Sequence, residues 1–234
     1  MRLFKYYSAT KWVVDSLLNF RFYFSKFNEL NDPCEISISG CSIDQLNIIK
    51  FNFHDPKGSN GIFCLSERND NLHMWTQYAD GHQGIVVEFE TDEDKDFFKE
   101  LDKVIYNVIP PTYSASMKVK DVICSKSIDS EKENEWRAFG MNGLKEIKHS
   151  AIKSIIFGCR FPIGCSVTTN PPDDLAESLK NDRKKLEALI EIDRLFWENK
   201  MPDNVEFYKI IIEHDQYKLT CSPKFEKPDK KPTI

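Results

Sequence analysis

The chain has 234 residues, of which 41% are hydrophobic and 29% charged, with a formal net charge of −5. That length suits one large domain, since domains run to roughly 100–200 residues; the composition excludes a disordered chain, and the acidic balance excludes a generally basic nucleic-acid surface while leaving room for a local basic groove. No apolar run approaches the ~18 residues that span a bilayer, and the start Met1 to Tyr7 lacks a signal-peptide apolar region, so a cytoplasmic protein with no membrane partner is expected.

In chain order, Leu3 to Tyr7 reads as a first strand, and an amphipathic helix follows from about Thr10 to Leu18, with Trp12, Val13, Leu17 and Leu18 as its apolar side and Thr10 as its cap. Arg21 to Ser25 forms a second strand. Asn31-Asp32-Pro33 makes a turn, because Asn and Asp bond their own backbone and Pro fixes φ. Leu46, Ile48, Ile49 and Phe53 suggest a helix before the loop Asp55 to Gly58. Ile62 to Leu65 and Ile85 to Phe89 are short β-branched or aromatic runs led by Gly61 and Gly84, both read as strands. Between them, Asn69 to Asp80 reads as a helix whose Leu72, Trp75, Tyr78 and Ala79 share one face.

Thr91-Asp92-Glu93-Asp94 has the form of a capped helix start and predicts a helix through Leu101. Val104 to Ile109 returns to strand, ended by Pro110-Pro111. Tyr113 to Ser130 is readable as a helix or as a long loop. Glu135 to Phe139 alternates polar and apolar, as a half-buried strand does, and Ile152 to Phe157 is an apolar strand closed by Gly158. Residues from about 173 to 199 make the longest helix, opened by Pro171-Pro172, with Leu175, Leu179, Leu186, Ile190 and Trp197 near one stripe. Val205 to Ile212 and Tyr217 to Cys221 form a hairpin about His214-Asp215-Gln216, and the lysine-rich tail 223–234 is expected to be disordered. The whole predicts an α+β fold: a single domain over 1–222 with a central mixed or antiparallel sheet and flanking helices.

Seven cysteines without a C-x-x-C pair predict neither zinc nor a disulfide framework, and several, Cys64 among them, read as small buried hydrophobes. The dispersed histidines predict no metal site; His73 and His82 read as solvent-facing. No glycine-rich phosphate loop or G-x-S-x-G elbow occurs. Alternation along Glu133-Asn134-Glu135-Trp136-Arg137 would direct both carboxylates and the guanidinium to one strand face, either lining a cleft or forming a solvated edge with an ion pair. Ser66 is a ligand-positioning hydroxyl or a strand-end serine bonding nearby backbone. Trp75 and Tyr78 are core or rim aromatics, or a stacking platform for a planar base.

Leu3-Phe4-Lys5-Tyr6, Phe22-Tyr23-Phe24-Ser25 with Leu30-Asn31-Asp32-Pro33, Phe63-Cys64-Leu65-Ser66 with Met74-Trp75-Thr76-Gln77-Tyr78-Ala79, and Glu135-Trp136-Arg137 together resemble the bacterial domain of unknown function 2971 family. More remotely, the order of elements is similar to the ADP-ribosyltransferase fold, with Gly61-Ile62-Phe63-Cys64 as its glycine-led strand, Tyr78 on its tyrosine helix and Glu133-x-Glu135 as its paired glutamates. That fold carries Arg or His in its first strand, where this chain has Lys5, Tyr6 and Tyr7.

The second resemblance implies an ADP-ribosyltransferase-like enzyme that consumes NAD, without a metal, acting as a toxin or phage-defence effector on a protein or nucleic-acid acceptor and held in check by an antitoxin. Breaking the nicotinamide–ribose bond builds positive charge on the ribose, which a fixed carboxylate stabilises. By this resemblance Glu135 is the carboxylate and Glu133 orients the acceptor. Trp75 or Tyr78 stacks on nicotinamide, Ser25 or Ser66 positions the ribose or amide, Lys5 or Arg137 meets the diphosphate, and Tyr6 completes the cofactor-binding set. The alternative is a non-catalytic module that binds a nucleotide or a partner protein, its acids serving only as ion pairs.

Overall fold

The computed structural model describes residues 1–30, 32, 34, 37–47, 61–114, 116–163, 183–213 and 218–224. The chain divides into two units, one of Met1–Arg21, Arg68–Glu93 and Ile147–Ile234, the other of Phe22–Glu67 and Asp94–Glu146. The class is α+β.

The first unit is built on β1 (Arg2–Tyr7), β4 (Ile85–Glu90), β10 (Ile152–Phe157), β11 (Glu206–Glu213) and β12 (Lys218–Cys221), in the order β12-β11-β10-β4-β1. Only β10 and β11 run parallel, which makes the sheet mixed. Tyr6, Val86 and Ile156 stand opposite one another across three strands. With Ile210 and Leu219 they form a floor for Met74, Trp75 and Ala79 of the helical segment above. The rings of Phe157, Phe161, Phe196 and Phe207 form a second apolar cluster.

Helix α1 (Lys11–Asn19) starts at Thr10, which has an extended backbone and whose hydroxyl accepts the Val13 N–H at 3.4 Å. Its buried side is Val13, Val14 and Leu17; Trp12 and Leu18 are exposed, contrary to expectation, because three apolar residues already fill the ~100° stripe a surface helix turns to its core. Helix α2 (Leu72–Tyr78) is shorter than expected at both ends. Asn71 caps it, taking the N–H groups of His73 and Met74 at 3.0 and 3.3 Å, and leaves Leu72 exposed. Asp80, Gly81 and His82 are all left-handed (φ 56, 59 and 72) and carry the chain into β4. That turn places His82 inside, at 8% exposure, rather than in solvent.

The second unit holds β2 (Arg21–Lys26), β3 (Gly61–Ser66), β5 (Glu100–Lys103), β8 (Glu135–Gly140) and β9 (Gly143–Glu146) in the order β5-β8-β3-β2-β9, with a separate parallel pair β6 (Ile105–Asn107) and β7 (Ser125–Ser127). Its core is a packed set of rings: Phe63 lies against Phe22, Phe24 and Phe97 at centroid distances of 6.0, 5.3 and 5.3 Å. The helix expected through Leu101 is absent from its place. Thr91–Glu93 is a single 3-10 turn, and buried Asp94 takes the Phe97 N–H on its carboxylate and the Phe98 N–H on its carbonyl, both at 3.1 Å, a fold that drives both rings inward before β5 begins. The segment Tyr113 to Ser130 resolves into the short helix α3 (Val119–Ile123), β7 and the start of a 3-10 turn.

Helix α4 spans Arg183–Trp197. Its buried residues are Ala188, Leu189, Ile192, Asp193, Leu195 and Phe196, so the inward stripe is rotated from the expected line through Leu186, Ile190 and Trp197. Residues 164–182, the expected turn residues Asn31 and Pro33, most of the expected helix at 46–53, the loop 55–58, the hairpin tip 214–217 and the tail 225–234 lie outside the described residues. No helix among the described residues is long and apolar enough to cross a membrane.

Candidate functional site

A left-handed residue sets the site. Ile128–Glu133 is a 3-10 helix closed by Asn134 at φ 47, so Glu133 departs from a helix end and Glu135 from the first position of β8; the two do not share a strand face as expected. Both carboxylates nevertheless converge on Lys126 of β7, whose Nζ lies 2.7 Å from Glu133 and 3.2 Å from Glu135. Arg137, facing the same side of β8 as Glu135, grips it through Nε and Nη2 at 2.8 and 3.1 Å and donates Nη1 to the Ile123 carbonyl at 2.5 Å. Glu135 is 5% exposed and Arg137 1%. A solvated edge is therefore ruled out: β8 is an interior strand, paired with β3 on one side and β5 on the other.

Other chains of contact reinforce the cluster. Ser66 stands opposite Glu135 in the β3–β8 register, and its hydroxyl donates to the Glu133 carbonyl at 2.7 Å. The Glu135 N–H donates to the Tyr106 hydroxyl at 2.8 Å. The Asp32 carboxylate approaches Lys126 to 3.9 Å, which gives this turn residue a tertiary role beyond its local one. Burial by itself would raise the Glu135 pKa, but the charges of Arg137 and then Lys126 outweigh it and hold the carboxyl below the usual range. Burial pushes Tyr106 up to about 12 and the Cys124 thiol up to about 11, which leaves both neutral near pH 7.

The arrangement is a closed ionic brace that ties β7, β8 and the carbonyl end of α3 together. Lys126, Ser125, Ser127, Asn107, Ser37 and Cys34 border a cavity of about 180 Å³. Small-molecule sites usually occupy ~300–1,000 Å³, so this one accommodates a single small ring or a phosphate and not a dinucleotide. Lys126, Tyr106 and Asp32 were not read as site residues from the sequence. One signal was available for the first: a lysine between two serines in a short extended run, Ser125-Lys126-Ser127.

The remaining sequence candidates belong to different surroundings. Trp75 is fully buried, donates its indole N–H to the Asn69 carbonyl at 2.6 Å and meets Tyr6 edge-on at 5.4 Å, so neither ring face is open to a base. Tyr6 is buried and donates its hydroxyl to the Arg68 carbonyl at 2.8 Å. Tyr78 is partly buried against the same core cluster. Lys5 lies over the Tyr7 ring at 5.5 Å. Ser25 sits on β2 opposite Ile62, in the second unit. No group of three or more His, Cys, Asp or Glu among the described residues is placed to hold a metal ion. A larger hollow of about 1200 Å³ opens in the first unit, where α1 and the start of α4 form its walls.

Fold and site thus define an α+β protein with a buried ionic centre whose Lys126 borders a small cavity. The model of a family described as protein of unknown function (DUF2971) matches residues 74–154, the stretch that carries Trp75, Tyr78, Lys126, Glu133, Glu135 and Arg137, and over it the chain is similar to that family, as its motifs led us to expect. No curated protein and no solved structure matches the chain.

Proposed function

We propose that the protein binds a nucleotide without turning it over, the acids of the second unit acting as ion pairs that hold the sheet. The observation that carries this reading is the ground state of Glu135, a buried carboxylate whose two oxygens are both engaged by Arg137 and Lys126. A carboxylate accelerates glycosyl transfer by meeting a charge that exists only as the bond breaks; one already neutralised by two cations has little further stabilisation to give. Calorimetric titration with ADP and with NAD, paired with chromatographic detection of nicotinamide, tests this. Binding without nicotinamide release is the expected result. Release that Glu135→Gln abolishes would overturn it.

A second reading, ADP-ribosyl transfer from NAD to a protein or nucleic-acid acceptor, draws on a different observation: Glu135 is held ionised in a dry setting, and the cavity bordered by Lys126 has the volume for one nicotinamide ring. In that reading Glu135 faces the ribose, Glu133 the acceptor, and an antitoxin would cover the site. The same release assay decides between the two.

A further inference from the structure

We infer that the hollow between α1 and α4 is the nucleotide site, with the base on Trp12 and the phosphates on Lys11 and Lys184; this rests on the nucleotide-binding reading above. The hollow measures about 1200 Å³ and so has room for a whole nucleotide, which the cavity beside Lys126, at about 180 Å³, does not. Trp12 forms part of its wall and is 71% exposed, more than any other aromatic side chain among the described residues. The core does not need this ring: Val13, Val14 and Leu17 already fill the buried side of α1.

The charges of the wall give the ligand its sign. Asp15 is held by Arg21 at 3.2 Å, Asp80 by Lys185 at 2.7 Å and Glu191 by Arg194 at 2.7 Å, and Glu187 has a contact of its own. Lys11 and Lys184 line the same hollow and form no ion pair among the described residues. Among the described residues, the charge on this wall that is left without an ion pair is therefore positive. An exposed indole, two ammonium groups without an ion pair among the described residues and a large hollow suit a planar anion. Any nucleobase presents a π-face to an aromatic ring, and phosphate oxygens take charge-assisted bonds from lysine. Lys11 lies 4.8 Å over the Trp12 centroid and would exchange that contact for a phosphate, which opens the ring face to the base.

Titration of the full chain with ADP, with adenosine and with inorganic phosphate, at two salt concentrations, tests the assignment in wild type, Trp12→Ala and the double variant Lys11→Ala/Lys184→Ala. All three positions are exposed, so the variants keep the fold, and far-ultraviolet circular dichroism checks it. Trp12→Ala is expected to weaken ADP about tenfold or more. The lysine variant should weaken ADP and flatten its salt dependence, while adenosine binds more weakly than ADP with little response to salt. ADP binding of unchanged affinity in both variants would place the site elsewhere and leave the nucleotide-binding reading intact. A wild type that binds no ADP would end both.

Discussion

Arg137 shows how much one buried side chain can be asked to hold. Its guanidinium bonds Glu135 twice and the Ile123 carbonyl once, and the side chain is almost wholly buried. Removing one member of such a group strands the rest, so Arg137→Met is expected to cost about 3–5 kcal/mol, seen as a lower urea midpoint with an unchanged slope. Arg194→Ala, which breaks the exposed pair with Glu191 on α4, should cost no more than about 1 kcal/mol. Equal losses would contradict the distinction. His82 is a second case. The one hydroxyl hydrogen of Thr76 goes to the Leu72 carbonyl at 2.8 Å, so in the 3.3 Å contact with His82 the imidazole Nε2 must donate. Nδ1 then carries a lone pair, buried and with no hydrogen-bond partner among the described residues. Burial first, and the charge of Arg160 second, hold its pKa below the ordinary 6.5. The unfolded chain therefore takes up the proton first: the His82 contribution is complete above about pH 6.5 and is lost as pH falls through that value toward the lower folded pKa. Urea unfolding at pH 7.5 and 5.5 should show this loss in the wild type and a smaller one in His82→Asn, a residue that tolerates the left-handed backbone. The lowered carboxyl of Glu135 adds its own loss only below about 4.5.

Elements meet closely where β4 begins. A Cβ on Gly84 would lie 2.1 Å from the Tyr7 carbonyl oxygen and 2.9 Å from that of Ala79, both backbone atoms, so the close approach of α2, β1 and β4 requires glycine there. Gly81, three residues earlier, faces open space and needs only its positive φ of +59°. Gly81→Ala should cost about 1–2 kcal/mol, the ordinary left-handed penalty, and Gly84→Ala clearly more, because a strand must move. Thermal midpoints measured side by side check the order, and the reverse order would refute the packing argument. At the start of α1 the long 3.4 Å bond to Thr10 places Thr10→Ala toward the lower part of the ~0.5–2 kcal/mol range for a lost cap.

At the scale of the molecule, a net charge of −5 works against an anionic ligand at long range. At physiological salt the Debye length is ~8 Å, so phosphates in the hollow respond to the charges that line it, Lys11 and Lys184 together with the ion-paired Asp15, Asp80 and Glu191, rather than to carboxylates beyond that range. Binding to the native state alone also raises stability. ADP at a hundred times its dissociation constant should add about 2.7 kcal/mol, detected as a higher thermal midpoint in the wild type and as a clearly smaller rise in Trp12→Ala, where a tenfold weaker site gains about 1.4 kcal/mol at the same ADP concentration. A midpoint that rises equally in both would argue against Trp12 as the platform.

What could be read from the chain alone was whatever depends on neighbours in sequence. Ile62 to Leu65, Ile85 to Phe89 and Ile152 to Phe157 became β3, β4 and β10 because a short apolar run between breakers is a local property, and Thr10 caps α1 because its hydroxyl reaches only three residues along. Glu135 and Arg137 were legible as a pair for the same reason, since strand alternation puts them on one face. Thr91 to Leu101 has a sound helix start, yet burial of Phe97 and Phe98 outweighed it and Asp94 closed a turn instead. Glu133 reached the cluster through a left-handed Asn134, and Lys126, Ile123, Tyr106 and Asp32 came to it from other elements. The same holds for His82, turned inward by three left-handed residues, and for Trp12, turned outward once the core was full. Periodicity records which side of an element is apolar; which charges must share a dry interior, and which rings are left over, follows from contacts between residues far apart in the chain, and only the folded arrangement supplies those.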